Sequence, residues 1–195
     1  MKEFWNERYG REEYVYGTEP NAFFKAQLDR LAPGVLLLPA EGEGRNAVYA
    51  ARKGWQVVAF DYAETAKEKA LLLAMKYGVN IEYLLTDYEH CKFPEHSFDA
   101  LALIYAHTPN WQQHYQKLFS YLKPGGWLIV ELFNKKQLGN RSGGPQNPDL
   151  LVNADELKQL LGDFTSVKVW EETLSLNEGE HHKGKADVTR CICRK

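Results

Sequence analysis

Two glycines, one acid and the spacing between them are the residues of this chain that could do chemistry. Gly42 and Gly44 follow the apolar run Val35-Leu36-Leu37-Leu38, and the small-residue stretch Ala47-Val48-Tyr49-Ala50-Ala51 follows them. A run that short reads as a buried strand, and the alanine-rich stretch as a helix. Glycine lacks a Cβ, so the backbone at Gly42 can turn sharply and let a ligand approach closely. The next apolar run, Val57-Val58-Ala59-Phe60, ends in Asp61, nineteen residues after Gly42. With a glycine loop after one strand and an acid at the tip of the next, α/β proteins hold a ribose-bearing cofactor, the acid accepting from the ribose. A nucleoside-like cofactor is therefore expected. The loose pattern Gly42-x-Gly44-x-x-Ala47 does not say which, and a tight turn without a ligand is the bland alternative.

The elements that must position these residues alternate along the chain. Strands are expected near Val35–Leu38, Gln56–Phe60, Ile81–Thr86, Ala100–Tyr105 and Trp127–Phe133, with helices near Arg45–Lys53, Glu64–Tyr77 and Trp111–Leu122. Gly54 and Gly78 stand where helix C-caps belong. Apolar strands alternating with helices of this length predict a parallel sheet covered on both faces. Residues 20–31 carry Phe23, Phe24, Leu28 and Leu31 at helical spacing, ended by Pro33-Gly34. Residues 139–150 read as a loop and Asp155–Leu161 as a short helix. Val167–Leu176 and Lys185–Cys193 read as two strands around a polar turn, a C-terminal antiparallel pair closing the sheet.

At 195 residues the chain is expected to be one domain, with an N-terminal helical and aromatic lid segment over 1–33 and a core over 34–195. A net charge of −2 gives no sign of attraction to nucleic acid or a membrane surface. The first eight residues are charged and lack an apolar signal core, and the longest apolar runs are too short to span a bilayer. Three cysteines without a Cys-x-x-Cys pair fit a reducing, cytoplasmic setting, and no metal-ligand spacing is present.

Nicotinamide enzymes usually add a second domain, for which this chain has no length. Asp87, after Ile81-Glu82-Tyr83-Leu84-Leu85-Thr86, stands where a carboxylate can accept an adenine amino group. Ser97-Phe98-Asp99 leads into the fourth strand and Leu122-Lys123-Pro124-Gly125-Gly126 links a helix to the fifth. With these features the chain resembles the class I S-adenosylmethionine-dependent methyltransferases over most of its length. It looks closest to the small bacterial group similar to tellurite-resistance and thiopurine methyltransferases. Trp5-Asn6-Glu7-Arg8-Tyr9, Tyr14-Val15-Tyr16-Gly17-Thr18-Glu19-Pro20, Gly42-Glu43-Gly44-Arg45-Asn46, Lys123-Pro124-Gly125-Gly126 and Gly179-Glu180-His181-His182-Lys183-Gly184 carry the likeness. The chain departs from the family pattern at Leu38, Ala40 and Glu41, where an acid, a glycine and a small residue are common.

The resemblance implies a Rossmann-like, doubly wound, mostly parallel seven-stranded sheet with a C-terminal antiparallel strand pair. It implies S-adenosylmethionine as cofactor and methyl transfer to a small soft nucleophile: a thiol, a thiopurine, or a tellurium or selenium oxyanion. Ala40, Glu41 and Gly42 would follow the methionine moiety, Gly44 would shape the turn and Asn46 would lie at the cofactor. Asp61 would accept both ribose hydroxyls, Tyr62 would wall the adenine, and Asp87 and Tyr88 would meet its other end. Tyr105 and His107 end the fourth strand, where the reacting methyl would point. His107 is a candidate base, or a loop histidine bound to backbone. Tyr14, Tyr16, Phe23, Phe24 and Arg141 would line a substrate lid, whereas His181 and His182 read as solvated turn residues. Two other readings stay open: a short-chain NAD(P) oxidoreductase, although Tyr-x-x-x-Lys is missing after Tyr105-Ala106-His107-Thr108-Pro109, and a cofactor-binding sensor without turnover.

Overall fold

The computed structural model describes residues 2–179 and 181–195. Strands β1 (Val35–Pro39), β2 (Gln56–Asp61), β3 (Glu82–Leu85), β4 (Phe98–Ile104), β5 (Leu122–Phe133), β6 (Thr165–Asn177) and β7 (Lys183–Arg194) form one sheet. Its order is β3-β2-β1-β4-β5-β7-β6. The first five pair in parallel, while β7 runs antiparallel to both β5 and β6. Helices α1 (Lys2–Tyr9), α2 (Ala22–Leu28), α3 (Arg45–Arg52), α4 (Glu64–Lys76), α5 (Trp111–Ser120) and α6 (Ala154–Leu160) are the α-helices of the described residues, with short 3-10 turns at Lys135–Gln137 and Pro148–Leu150. This is the doubly wound, mostly parallel seven-stranded sheet that the sequence predicts.

Period-2 alternation divides the strands between two cores. Leu36, Leu38, Val57, Ala59, Ala100 and Ala102 pack with Phe23, Phe24 and Leu28 of α2 and with Ala47 and Ala50 of α3. Leu37, Val58, Phe60, Leu101 and Leu103 face the other way, onto Trp111, Tyr115 and Leu118 of α5. Because both faces are covered, β1 and the interiors of β2 and β4 are unbroken apolar runs. The chain order reverses between β1 and β4, and the carboxyl ends of these strands open the crevice in which doubly wound proteins bind ligands.

Two expectations are corrected. Lys123-Pro124-Gly125-Gly126 is not a link before the fifth strand but the first part of β5. Gly125 takes φ +77 there, its N–H donates to the Lys195 carbonyl, and the register against β4 shifts between Phe98 and Ala100. Phe23 and Phe24 are core residues of α2, fastened by Asn21, whose side chain caps the helix at Phe24 N. Helix α1 lies within the expected helical and aromatic N-terminal segment and packs on α4, with Trp5 and Tyr9 turned inward beside Ala63 and Ala66. The turn after β6 includes Glu180, outside the described residues. No described helix is long and apolar enough to cross a membrane.

Candidate cofactor and acceptor site

A cavity of about 810 Å³ opens at the carboxyl ends of the parallel strands. The turn after β1 forms its floor. Ala40 takes φ +49, Gly42 φ +61 and Gly44 φ +85. A left-handed backbone is free for glycine but strained for alanine, so Ala40 pays locally for the missing family glycine. Gly44 is required for packing as well: a Cβ there would fall 2.6 Å from Ala70 Cβ on α4.

Asp61 leaves β2 beside this turn, buried and with few partners. Its Oδ2 accepts from Gly42 N at 3.2 Å and its Oδ1 from Ala63 N at 2.9 Å. Burial raises its pKa to about 6, against the pull of these backbone donors. Hydroxyl donors of a ribose would supply the hydrogen bonds that a buried carboxylate needs. Tyr62 stands half-buried on the same wall.

Glu41 lines the cavity but turns its carboxylate away from it to the start of α3, accepting from Ala47 N at 2.7 Å and Asn46 Nδ2 at 3.4 Å. A helix N-terminus favours a negative group, yet burial dominates and raises the pKa to about 7. Asn46 also accepts from Asn21 N at 2.9 Å, so it ties α2 to α3 at the cavity edge.

On the far wall, Asp87 is held by its own loop. Its Oδ1 accepts from Glu89 N, His90 N and His90 Nδ1 at 3.0, 2.9 and 2.7 Å. Burial opposes ionisation, but these donors outweigh it and hold the carboxyl below its usual range. Tyr88 lies on the wall, but its ring belongs to the core, edge-on to Phe60, and its hydroxyl donates to the Ala106 carbonyl at 2.8 Å. Tyr105 takes φ +52, stacks on Phe133 at 4.6 Å and donates to Glu131 Oε1 at 2.7 Å. The buried Glu131 also accepts from Asn21 Nδ2 and Arg190 Nε, so Tyr105 is anchored from below.

Of the two readings of His107, candidate base or backbone-bound loop histidine, the geometry matches the second. Its Nδ1 meets the Leu150 carbonyl at 2.7 Å and its Nε2 accepts from Phe133 N at 3.2 Å. Burial depresses its pKa to about 4. With both nitrogens engaged, no lone pair is left for an acceptor. His182 moves the opposite way: it is buried on the cavity wall, its ring 4.4 Å from that of Tyr16. Arg141 is exposed on the wall. Tyr14 is absent from it, donating instead to the Lys69 carbonyl at 3.0 Å.

Sequence reasoning missed Tyr9. It is buried with Trp5 stacked on it at 5.3 Å, and a Cβ on Gly42 would fall 2.8 Å from its hydroxyl. Charge on Asp61 helps to hold the Tyr9 proton, after burial itself. Its signal was Trp5-Asn6-Glu7-Arg8-Tyr9, whose charges conceal a buried ring.

Sheet order, glycine turn and the acid after β2 together define a doubly wound nucleoside-cofactor fold of the methyltransferase kind. Residues 38–126 match the family described as methyltransferase domain. A sterol 24-C-methyltransferase of Gibberella zeae is 33% identical over 84 residues, 38% of this chain and 22% of that protein. The chain thus spans about a fifth of the length of that curated relative. A solved protein described by the conversion of a disulfide bond into a thioacetal group during echinomycin biosynthesis superposes with a TM-score of 0.74. It is 17% identical, with 100% of this chain and 90% of that one covered. Phosphoethanolamine N-methyltransferase 2 of Haemonchus contortus, solved with S-adenosyl-L-methionine, gives a TM-score of 0.72 at 17% identity, covering 98% and 56%. By fold the chain is similar to the Rossmann-like methyltransferases, and the methyltransferase-domain match covers a little under half of it.

Proposed function

We propose that this chain binds S-adenosylmethionine between the turn after β1 and Asp61, and methylates a small soft nucleophile at the mouth of β4. The observation that carries the reading is Asp61: a buried carboxylate in an open cavity, beside a positive-φ glycine turn, with a pKa raised to about 6. Such a group is poised to accept from ribose hydroxyls. Bound there, S-adenosylmethionine supplies an electrophilic methyl carbon.

The chain's own contribution is positioning and exclusion of water. The turn from Ala40 to Gly42 and Asp61 hold one end of the cavity, with Tyr62 and the Asp87 loop walling the next part. Tyr105, fixed by Glu131 and Phe133, narrows the passage to the acceptor side. Tyr9 and Tyr16 roof it from the N-terminal segment.

A thiol, a thiopurine, or a tellurium or selenium species fits the soft-nucleophile reading, which rests on the likeness to the tellurite-resistance and thiopurine group. The echinomycin neighbour, described by chemistry at sulfur, is compatible with it. The test is a screen of thiols, thiopurines, tellurite and selenite, with S-adenosylhomocysteine release as readout. Release with one of these acceptors supports the reading, whereas release only with carbon or amine acceptors contradicts it.

A further inference from the structure

His182 lies among the rings of Tyr16, Tyr105 and Phe133, at 4.4, 4.7 and 5.5 Å between centroids. Its Nδ1 is buried without a hydrogen bond and stands 3.7 Å from Glu178 Oε2. Glu178 cannot turn away easily: Oε2 accepts from Arg45 at 2.8 Å and Oε1 from Asn21 at 3.2 Å. A fixed carboxylate beside one imidazole nitrogen favours the proton on that nitrogen and leaves the lone pair on the other. The Cδ2–Nε2 edge of the ring packs on Gly143, where a Cβ would fall 2.5 Å from Cδ2 and 3.0 Å from Nε2, so only glycine lets the ring sit there on the cavity wall.

The charge balance of the cavity narrows the acceptor. Five acids on the wall, Glu41, Glu43, Asp61, Asp87 and Glu89, stand among three guanidiniums, Arg8, Arg45 and Arg141; Lys69 pairs with Glu43, Arg45 pairs with Glu178, and burial holds Glu41 and Asp61 toward their neutral forms. With its charges largely paired or neutralised, the wall offers no concentrated positive field to draw in a multiply charged oxyanion, and it admits a neutral acceptor. A neutral thiol must lose its proton to become a neutral methyl thioether.

We infer that His182, oriented by Glu178, accepts the proton of a neutral thiol acceptor, an inference that rests on the methyltransferase reading above. The acceptor S–H bond breaks and its proton moves to Nε2. The sulfur's electron pair forms the bond to the incoming methyl, with a neutral thioether as leaving group. The charged and titratable groups around the imidazole are Glu178, Arg45 on α3, Glu131 on β5, Tyr105, His107 and Tyr16. Burial holds the ring below its ordinary range; Glu178 and Glu131 pull it up, and Arg45 pulls it down. The ring is therefore neutral at pH 7 and able to take a proton.

Histidine-selective ¹⁵N labelling tests the arrangement without turnover. Long-range proton–nitrogen spectra at pH 7, with S-adenosylhomocysteine present and the His182 signal assigned by its loss in His182→Gln, should show the Nδ1–H tautomer. Glu178→Gln should shift the population toward Nε2–H. An Nε2–H ring in the parent, or a tautomer indifferent to Glu178→Gln, overturns the assignment. Rates add a second readout. His182→Gln should slow methylation of 2-mercaptoethanol, protonated at pH 7, by about 10²-fold or more. The loss on 4-nitrothiophenol, already ionised, should be at least tenfold smaller, on the order of general-base effects. Equal losses on both thiols overturn the proton role. Failure of the parent to bind S-adenosylhomocysteine in calorimetry would overturn the cofactor reading instead, and the spectra would still decide the His182–Glu178 pair.

Discussion

Asp61 and Glu41 are both buried carboxylates held by backbone donors, and burial raises both, to about 6 and about 7. A raised folded-state pKa contributes stability that is full below the unfolded value and lost as pH rises through the folded one. The ligand-free protein should therefore lose stability between pH 4 and pH 7, read as a falling Tm, and Glu41→Gln should flatten the upper half of that fall. Cofactor binding has the opposite sign at Asp61. Ribose donors favour its charged form, so S-adenosylhomocysteine affinity should rise with pH through about 6 and level off above it. Asp61→Ala removes charge-assisted hydrogen bonds worth about 1.5–3 kcal/mol, roughly a ten- to hundredfold loss of affinity. An Asp61→Ala protein that binds like the parent, or an affinity flat from pH 5 to 7, removes Asp61 from the site. At Ala40, φ +49 costs about 1–2 kcal/mol, while glycine's extra chain entropy costs about 0.5–1 kcal/mol. Ala40→Gly should thus leave Tm unchanged or slightly raised. A drop of several degrees would show the turn to be unstrained.

The N-terminal segment and the turn between β6 and β7 make one wall, not two competing lids. Val15 N donates to Glu43 at 2.8 Å, Arg45 donates to the Tyr16 carbonyl, and Tyr16 meets His182. Deleting residues 1–17 exposes Gly42, Glu43 and Arg45 together, so the shortened chain should melt several degrees lower and bind S-adenosylhomocysteine at least tenfold more weakly. Tyr14→Ala, at a ring turned to Lys69 and away from the cavity, should leave that affinity as it is. Equal affinities of the shortened and full chains would show that α1 is no part of the site. This wall was the least legible part of the sequence. His181-His182 stand among charged neighbours that imply solvent, and only the fold brings Glu178, Arg45 and Tyr16 around His182. His107 drew notice because the resemblance places the reacting methyl at the end of β4, yet the backbone at Leu150 and Phe133 consumes both its nitrogens.

Across the whole molecule the legible features were those set by local chemistry. β1, β2, β4 and α3 stand within two residues of where apolar runs and glycine caps place them, because strands buried on both faces leave an unbroken apolar signature. The Gly42-to-Asp61 spacing read through to a direct 3.2 Å hydrogen bond for the same reason: adjacent parallel strands bring their tips together. The start of β5 escaped notice because Pro124 and two glycines mimic a loop, and only pairing with the distant C-terminus holds them in the sheet. What the whole architecture claims is a nucleoside cofactor of one kind, S-adenosylmethionine rather than a nicotinamide dinucleotide. Isothermal titration of the intact chain at pH 7.5 with S-adenosylhomocysteine, and separately with NAD⁺ and NADP⁺, tests that claim most directly. The account predicts one-to-one binding of S-adenosylhomocysteine, weakened in Asp61→Ala, and at least hundredfold weaker binding of either dinucleotide, a gap of about 2.7 kcal/mol or more. Comparable or tighter binding of a dinucleotide, or no binding of S-adenosylhomocysteine, would contradict it.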